Sequence, residues 1–168
     1  MAKSTPANTV CAPPNANLTT IPSTATLDSF LEKNISEICA CDYENDSDNH
    51  CAHFVSHVMD FSFGFTCKGM TGKGEKGASI RVHELFAMCQ EVGEWQFNTC
   101  PKPAGLAFVT NRSNVDLDTK HMENVPRKHV GIFLGNTVWH YSNTDDKVVK
   151  ESIDQFRHHY SGESIAVF

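Results

Sequence analysis

The chain has 168 residues, of which 40% are hydrophobic and 20% charged, and its formal net charge is -6. These values indicate one globular domain and disfavour nucleic acid or an anionic membrane as a partner. No apolar run reaches about 18 residues, and the first 20 residues lack the apolar region of a signal peptide. We therefore expect a monomer made in the cytoplasm and, if it acts elsewhere, exported by a specialised secretion system.

The N-terminal half of the chain predicts helices. Residues 1–25 are rich in Pro, Ala, Ser, Thr and Asn, which is typical of a flexible arm, and residues 26–168 then form a single domain. Helical spacing of apolar residues predicts a first helix from Thr26, a second from about His50 to Phe61, and a third over "SIRVHELFAMCQEV". The Gly- and Lys-rich segment "FGFTCKGMTGKGEKGA" between the last two predicts a loop.

The C-terminal half predicts strands. The segments "GLAFVT", "KHVGIFLG", "TVWHYS", "DKVVKES" and "ESIAVF" are short and rich in β-branched and aromatic residues, with turn residues between them. A short helix over "SIDQFRHHY" is expected to carry His158 and His159 on its surface. Helices followed by strands predict an α+β fold, with N-terminal helices packed on one face of a central antiparallel sheet.

One cysteine lies where the second helix is predicted to begin, in the stretch "SDNHCAHFVSHVMDF". Asp48 or Asn49 can cap this helix, which places Cys51 in its first turn. The free N–H groups and the helix dipole favour a negative charge there, so we expect a stabilised thiolate. Cys51 also shares the apolar side of the helix, which predicts that it points toward the sheet and that its partner base comes from a strand.

Two other interpretations of this cysteine stay open. Cysteine is commonly a small buried apolar residue, and the absence of a signal peptide favours reduced thiols among the seven cysteines. Alternatively, the region could belong to a non-catalytic, metal-holding binding module, because it is rich in cysteine and histidine. Its Cys-x-Cys and His-x3-His spacings match no standard zinc motif, so we assign neither metal ligands nor a cofactor. The residues concerned are Cys39, Cys41, His50, Cys51, His53 and His57.

Two histidines lie on neighbouring predicted strands, in "RKHVGIFLGNTVWHYS". A hairpin that turns at Gly135 and Asn136 brings His129 and His140 to the same end of the strand pair. One imidazole can then act as a base toward Cys51 while the other fixes its orientation and tautomer. This is the order of nucleophile, base and orienting group that covalent catalysis requires.

These segments resemble the NlpC-type cell-wall peptidases, a branch of the papain-like cysteine hydrolases. "HVGIFLG" followed by "VWH" is similar to the family's histidine-bearing strand pair, "PKPAGLAFV" to its Pro–Gly–Asp–Leu–Val–Phe strand, and "NHCAHFVSHV" takes the place of its Asp–Cys–Ser–Gly–Phe helix start. The resemblance covers about Tyr43 to Tyr141. Ala52 and His53 replace the family's Ser–Gly, and Leu106 replaces its acidic strand residue.

The resemblance implies roles for particular residues. Cys51 would be the nucleophile, His129 the base, His140 the orienting residue, and Tyr43 together with the Cys51 N–H would bind the oxyanion. It further implies hydrolysis of an amide bond in peptidoglycan stem peptides, as in antibacterial amidase effectors, for which a cognate inhibitor protein is an expected partner. Acyl transfer or deamidation by the same dyad is the alternative activity.

Overall fold

The structure is a computed structural model that describes residues 20–95, 102–160 and 164–167. The described residues form two short 3-10 helices, at Ile35–Glu37 and Arg112–Asn114, and five α-helices: α1 (Thr24–Asp28), α2 (Cys51–Met59), α3 (Cys67–Thr71), α4 (Val82–Met88) and α5 (Ile153–Arg157). The strands are β1 (Ala104–Asn111), β2 (Val115–Asp116), β3 (His121–Met122), β4 (Lys128–Leu134), β5 (Thr137–Ser142), β6 (Lys147–Ser152) and β7 (Ser164–Val167). Within these ranges, no helix combines the length and apolar composition of a membrane span.

The central sheet confirms the α+β class. Its strand order is β6-β5-β4-β1-β7, and neighbouring strands run antiparallel. Because side chains alternate across a strand, β4 directs Val130 and Ile132 into the core around α2 and α4, and Phe133 to the opposite face. There Phe133 packs with Phe156 of α5. The N-terminal helices α2 and α4 thus share one face of the sheet, and the C-terminal helix α5 covers the other.

The predicted first helix is interrupted. α1 begins at Thr24, inside the predicted arm, where the Ser23 side chain accepts from the Thr26 N–H. The chain then leaves helical geometry at Glu32, whose φ is 68°. A new capping box starts at Asn34, which accepts from backbone N–H groups while Glu37 reaches back to the Asn34 N–H. This local capping outweighs the apolar periodicity that predicted one continuous helix.

The other helix predictions are closer to the structure. α2 ends at Asp60, which adopts the left-handed conformation with φ 60°, so the predicted helix from His50 to Phe61 is nearly correct. The predicted Gly/Lys-rich loop contains the short helix α3, which Thr66 caps by accepting from the Gly69 N–H. The cysteines at positions 39, 41, 51, 67 and 89 are buried and free, as expected for reduced thiols.

The β4–β5 pair opens toward one end, and this opening positions the candidate site. The two strands pair only from Ile132 to Leu134, beside the turn. Farther from the turn, the start of α2 is tied to the end of β5: Asn143 accepts from the His50 N–H at 3.2 Å and donates to the Asp48 carbonyl at 2.8 Å. The first turn of α2 therefore meets β4 where β5 has separated from it.

Candidate active site at the β4–β5 opening

His129 and His140 contact each other, as the hairpin predicts. His129 Nε2 lies 2.9 Å from His140 Nδ1, and both side chains are buried. Gly131 makes room for this approach, since a Cβ there would lie 3.1 Å from the His140 Cβ and 2.5 Å from Val138 Cγ1. We call His129 and His140 the histidine pair.

A carboxylate that sequence analysis did not single out lies behind the pair. Glu151 Oε1 on β6 is 3.1 Å from His140 Nε2, although the two atoms are not aligned for a hydrogen bond. A proton on His140 Nε2 faces this carboxylate favourably, which leaves His140 Nδ1 to accept from the His129 Nε2–H. His129 Nδ1 then carries a free lone pair, and this buried atom has no hydrogen-bond partner among the described residues.

Cys51 lies at the opening, with its sulfur against β4. The sulfur faces the backbone N–H of Val130, the residue after His129, and the N–H groups of its own first helical turn. Among the described residues, no hydrogen bond joins the sulfur to His129. The structure brings His129 and His140 together on the α5 face of the sheet, whereas Cys51 lies on the α2 face against β4.

Burial determines the protonation states of Cys51 and His129. Removal from water raises the pKa of the Cys51 thiol to about 12, although the N–H groups of Val130 and Ala52 act in the opposite direction. Burial also holds the pKa of His129 well below its usual value, and the nearby His140 and His159 lower it further. The expected thiolate is therefore wrong for this closed structure, which holds a neutral thiol beside a neutral imidazole.

Residues that follow α5 cover the site. The ring of His159 stacks on that of His129 with centroids 4.1 Å apart and planes at 13°, and Phe156 lies against both members of the histidine pair. Burial raises the pKa of Tyr160, whose ring packs edge-on against His159. His158 and His159 are both exposed, as expected, and His159 in addition stacks on the histidine pair.

The two predicted oxyanion donors are engaged elsewhere. The Tyr43 hydroxyl donates to Asp48 Oδ2 at 2.6 Å, and burial together with Asp48 raises the pKa of Tyr43 to about 12. The Cys51 N–H donates to Asn49 Oδ1 at 2.9 Å. The N-cap of α2 is His50, whose side chain makes no capping hydrogen bond; Asn49 occupies the N–H that a substrate oxygen would need.

A cationic cleft begins at Asn49, two residues before Cys51. The cavity, of about 140 Å³, extends from Asn49 to Lys128, and Lys128 is close enough to favour a negative charge on Cys51. Arg81, Arg127 and His83 also line this cleft. Such a lining suits a ligand with a carboxylate or another anionic group.

Ion pairs hold the Gly- and Lys-rich segment that follows α2. Lys73 pairs with Asp42 at 2.9 Å, and Lys76 pairs with Asp60 at 2.6 Å. These ion pairs hold that segment beside a second group of cysteine and histidine side chains. This group could bind a metal ion. Its members are Cys39, His53, His57 and Cys67, whose ligand atoms all lie within 4.8 Å of one another.

Comparison with protein-family models, with curated proteins and with solved structures finds no match for this chain. The chemistry of the site therefore rests on its own geometry. Two of its members were missed from sequence. Glu151 could have been found by counting the β5–β6 register, in which it pairs with Val138, two residues from His140. His159 gave no such signal, because the turn after α5 positions it.

Proposed function

We propose that this protein is a cysteine hydrolase of the NlpC-type, papain-like kind, which cleaves an amide bond in peptidoglycan stem peptides. Cys51 is the nucleophile, His129 the general base and acid, and His140 the orienting residue. The observation that carries the proposal is the buried 2.9 Å contact between the two imidazoles beside a cysteine in the first turn of a helix. A histidine pair with a carboxylate behind it can orient and hold a proton, and a helix-start thiol is the type of nucleophile that such a base activates.

The arrangement of protons supports this order of roles. With its proton on Nε2, His140 faces Glu151, and its Nδ1 accepts from His129. His129 Nδ1 is then the one ring nitrogen of the pair that is free to take a proton. A base needs such a lone pair directed at the nucleophile; because Cys51 lies on the α2 face of β4 and His129 on the α5 face, this step requires the two side chains to be brought together when the site opens.

The reaction follows from these groups. His129 Nδ1 takes the thiol proton, and the thiolate attacks the amide carbonyl carbon to form a tetrahedral intermediate. The oxyanion displaces Asn49 Oδ1 from the Cys51 N–H and accepts its hydrogen bond. The imidazolium protonates the leaving amine as the C–N bond breaks. Water, deprotonated by His129, then hydrolyses the thioester and returns the sulfur to its thiol form.

The closed site must open before this reaction can begin. Cys51, His129 and His140 are 0%, 1% and 3% exposed, so no substrate reaches the sulfur in the closed structure. Opening also admits water and lowers the desolvation cost of the thiolate–imidazolium pair. The same N–H groups of Val130 and Ala52 that now act against burial would then stabilise the thiolate.

The cationic cleft supports the substrate class. Peptidoglycan stem peptides carry free carboxylates on their D-glutamyl and diamino acid residues. Arg81, Arg127 and Lys128 would bind such a carboxylate within the cavity that begins at Asn49. Asn49 contacts the Cys51 backbone. A peptide whose carboxylate is bound in this cavity can therefore reach the sulfur.

Digestion of defined muropeptides tests the proposal. Wild-type protein is incubated with the muropeptides, with and without a primary amine acceptor, and products are identified by mass spectrometry. Hydrolysis gives two fragments in water alone, deamidation gives loss of ammonia, and acyl transfer gives an adduct only with the acceptor. We expect hydrolysis by wild type and by Cys89→Ala, a matched buried cysteine, but not by Cys51→Ala. Cleavage that persists in Cys51→Ala, or its absence in wild type, would contradict the proposal.

A further inference from the structure

We propose that Cys39, His53, His57 and Cys67 form a structural zinc site, separate from the site at Cys51. We call these four residues the Cys2His2 cluster. Their ligand atoms, two sulfurs and two imidazole nitrogens, all lie within 4.8 Å of one another. This set is the one that tetrahedral structural zinc sites use.

The distances within the cluster suit a tetrahedral ion. The Nε2 atoms of His53 and His57 are 3.1 Å apart, and the Cys67 sulfur is 4.0 Å from His57 Nε2. Zinc bonds of about 2.0–2.1 Å to nitrogen and 2.3 Å to sulfur give ligand–ligand separations of roughly 3.3–3.8 Å around a tetrahedron. The side chains are therefore already near the positions that a bound ion requires.

Three separate segments bring the ligands together. Cys39 follows the 3-10 helix, and Cys67 is the first residue of α3. His53 and His57 lie one turn apart on the same side of α2. This region, from residue 39 to residue 80, holds few regular elements besides α2 and α3, and an ion bound by all four ligands would tie its segments to one another.

Hydrogen bonds behind the histidines orient them as ligands. His50 Nε2 is 3.0 Å from the Asn45 carbonyl oxygen and must donate to it. His50 Nδ1, 3.2 Å away from His53 Nδ1, is then the acceptor of that pair. His53 therefore carries its proton on Nδ1 and presents a lone pair at Nε2 to the cluster. Metal-bound histidines are commonly fixed in this way by a group behind them.

Backbone N–H groups support the sulfurs in the same manner. The Cys41 N–H donates to the Cys39 sulfur at 3.3 Å, and the Ala78 N–H donates to the Cys67 sulfur at 3.1 Å. Such bonds stabilise thiolates, which are the form of cysteine that binds zinc. Both sulfurs are buried, with 5% and 0% exposure.

Charge completes the argument for an ion. The cluster presents electron pairs from two imidazoles and two sulfurs to one buried point, and a divalent cation satisfies all four at once. Two thiolates and two neutral imidazoles around Zn²⁺ have no net charge, which removes most of the cost of burying the ion. Four protein ligands leave no open position for a substrate, so the ion is structural.

The first test measures metal in the intact wild-type protein. The protein is expressed with zinc in the medium, desalted, and analysed by elemental mass spectrometry. We expect one zinc per chain and, after replacement by cobalt, the intense visible bands and thiolate charge-transfer band of a tetrahedral Co²⁺ site with two sulfur ligands. Protein that contains no zinc and takes up none in equilibrium dialysis would overturn the proposal, as would a Cys39–Cys67 disulfide found in the native protein by peptide mapping.

Variants locate the ion. Cys67→Ser and His57→Gln should lower zinc content and remove or alter the cobalt spectrum, whereas Cys51→Ala and Cys89→Ala should retain both. If a ligand variant fails to fold, the wild-type cobalt spectrum still reports the ligand set, and its absence counts against the site. Zinc that is lost from Cys51→Ala but retained by Cys67→Ser would assign the ion elsewhere and overturn the proposal.

Discussion

One short helix carries parts of two sites that use the same side chains in different ways. At its start, Cys51 places one sulfur against β4, the strand whose His129 hydrogen-bonds to His140. Nearer its end, His53 and His57 direct their Nε2 atoms at each other and toward two sulfurs. In the first site the imidazoles are paired and can pass a proton; in the second they present lone pairs to a common centre. The direction of the lone pairs, more than the composition, separates a proton relay from a metal site.

Replacing one cysteine in each of the two sites gives the largest expected effects. Cys51→Ala should reduce turnover on the order of 10⁴-fold or more, because the covalent route is lost, while Tm changes by a few degrees at most. Cys67→Ala should instead lower Tm by roughly 10 °C through loss of the ion and retain turnover at low temperature. Calorimetry and muropeptide digestion on both variants measure this. Equal losses of Tm and of turnover in the two variants would show that the sites are not separate.

Acid should destabilise the fold through the histidine pair. The pKa of His129 is lowered in the folded state, so below pH of about 6.5 the unfolded chain binds a proton that the folded chain does not. Stability is therefore full above that pH and falls on acidification, by at most about 1.4 kcal/mol per pH unit for this group. Urea unfolding at several pH values should show a shallower slope for His129→Gln than for wild type. Identical slopes would mean that His129 is not buried as a neutral ring.

Glu151 should matter for the relay and not for the Cys2His2 cluster. Glu151→Gln removes the charge that favours a proton on His140 Nε2, so we expect turnover to fall about tenfold, as for a group that orients a ligand. The pH–rate profile should shift at the same time, which simple loss of packing would not cause. Partial recovery in Glu151→Asp, with unchanged zinc content, completes the comparison; a profile identical to wild type would argue against a positioning role.

The cover over the histidine pair should have the smallest effect. His159→Ala removes the ring stacked on His129, so the Cys51 thiol should be alkylated several-fold faster at neutral pH. His158→Ala is the matched control, because His158 is exposed like His159 but contacts the Asp154 carbonyl oxygen instead of the histidine pair. Alkylation of the Cys51 peptide is followed by mass spectrometry. Equal rates in wild type and His159→Ala would show that this ring does not limit access.

The candidate active site could be predicted because its signals are local. The Asn49 contact with the Cys51 N–H and the turn at Gly135 and Asn136 each lie within a few residues of what they position, and the hairpin register then brings His129 to His140. The protonation state could not be predicted in this way. A helix start favours a thiolate, but its effect is outweighed by burial that depends on α5 and on the residues that follow it.

The Cys2His2 cluster shows where sequence reasoning ends. His53 and His57 have a readable spacing, but Cys39 and Cys67 lie on separate segments, and Cys67 belongs to a helix within what the composition predicts to be a loop. The break of the first predicted helix, by contrast, was readable from the Asn34 and Glu37 capping pair. Local rules thus predict caps and turns, whereas the meeting of distant segments needs the packed structure.

The neutral, covered sulfur of Cys51 has a consequence for the lifetime of the protein. Hydrogen peroxide oxidises thiolates far faster than thiols, and a sulfur whose pKa is raised to about 12 holds almost no anion at neutral pH. In the resting molecule, the Cys51 sulfur is therefore protected from oxidation. The sulfur would become sensitive to oxidants only when the site opens. The rate of oxidation by peroxide therefore measures how often the molecule opens.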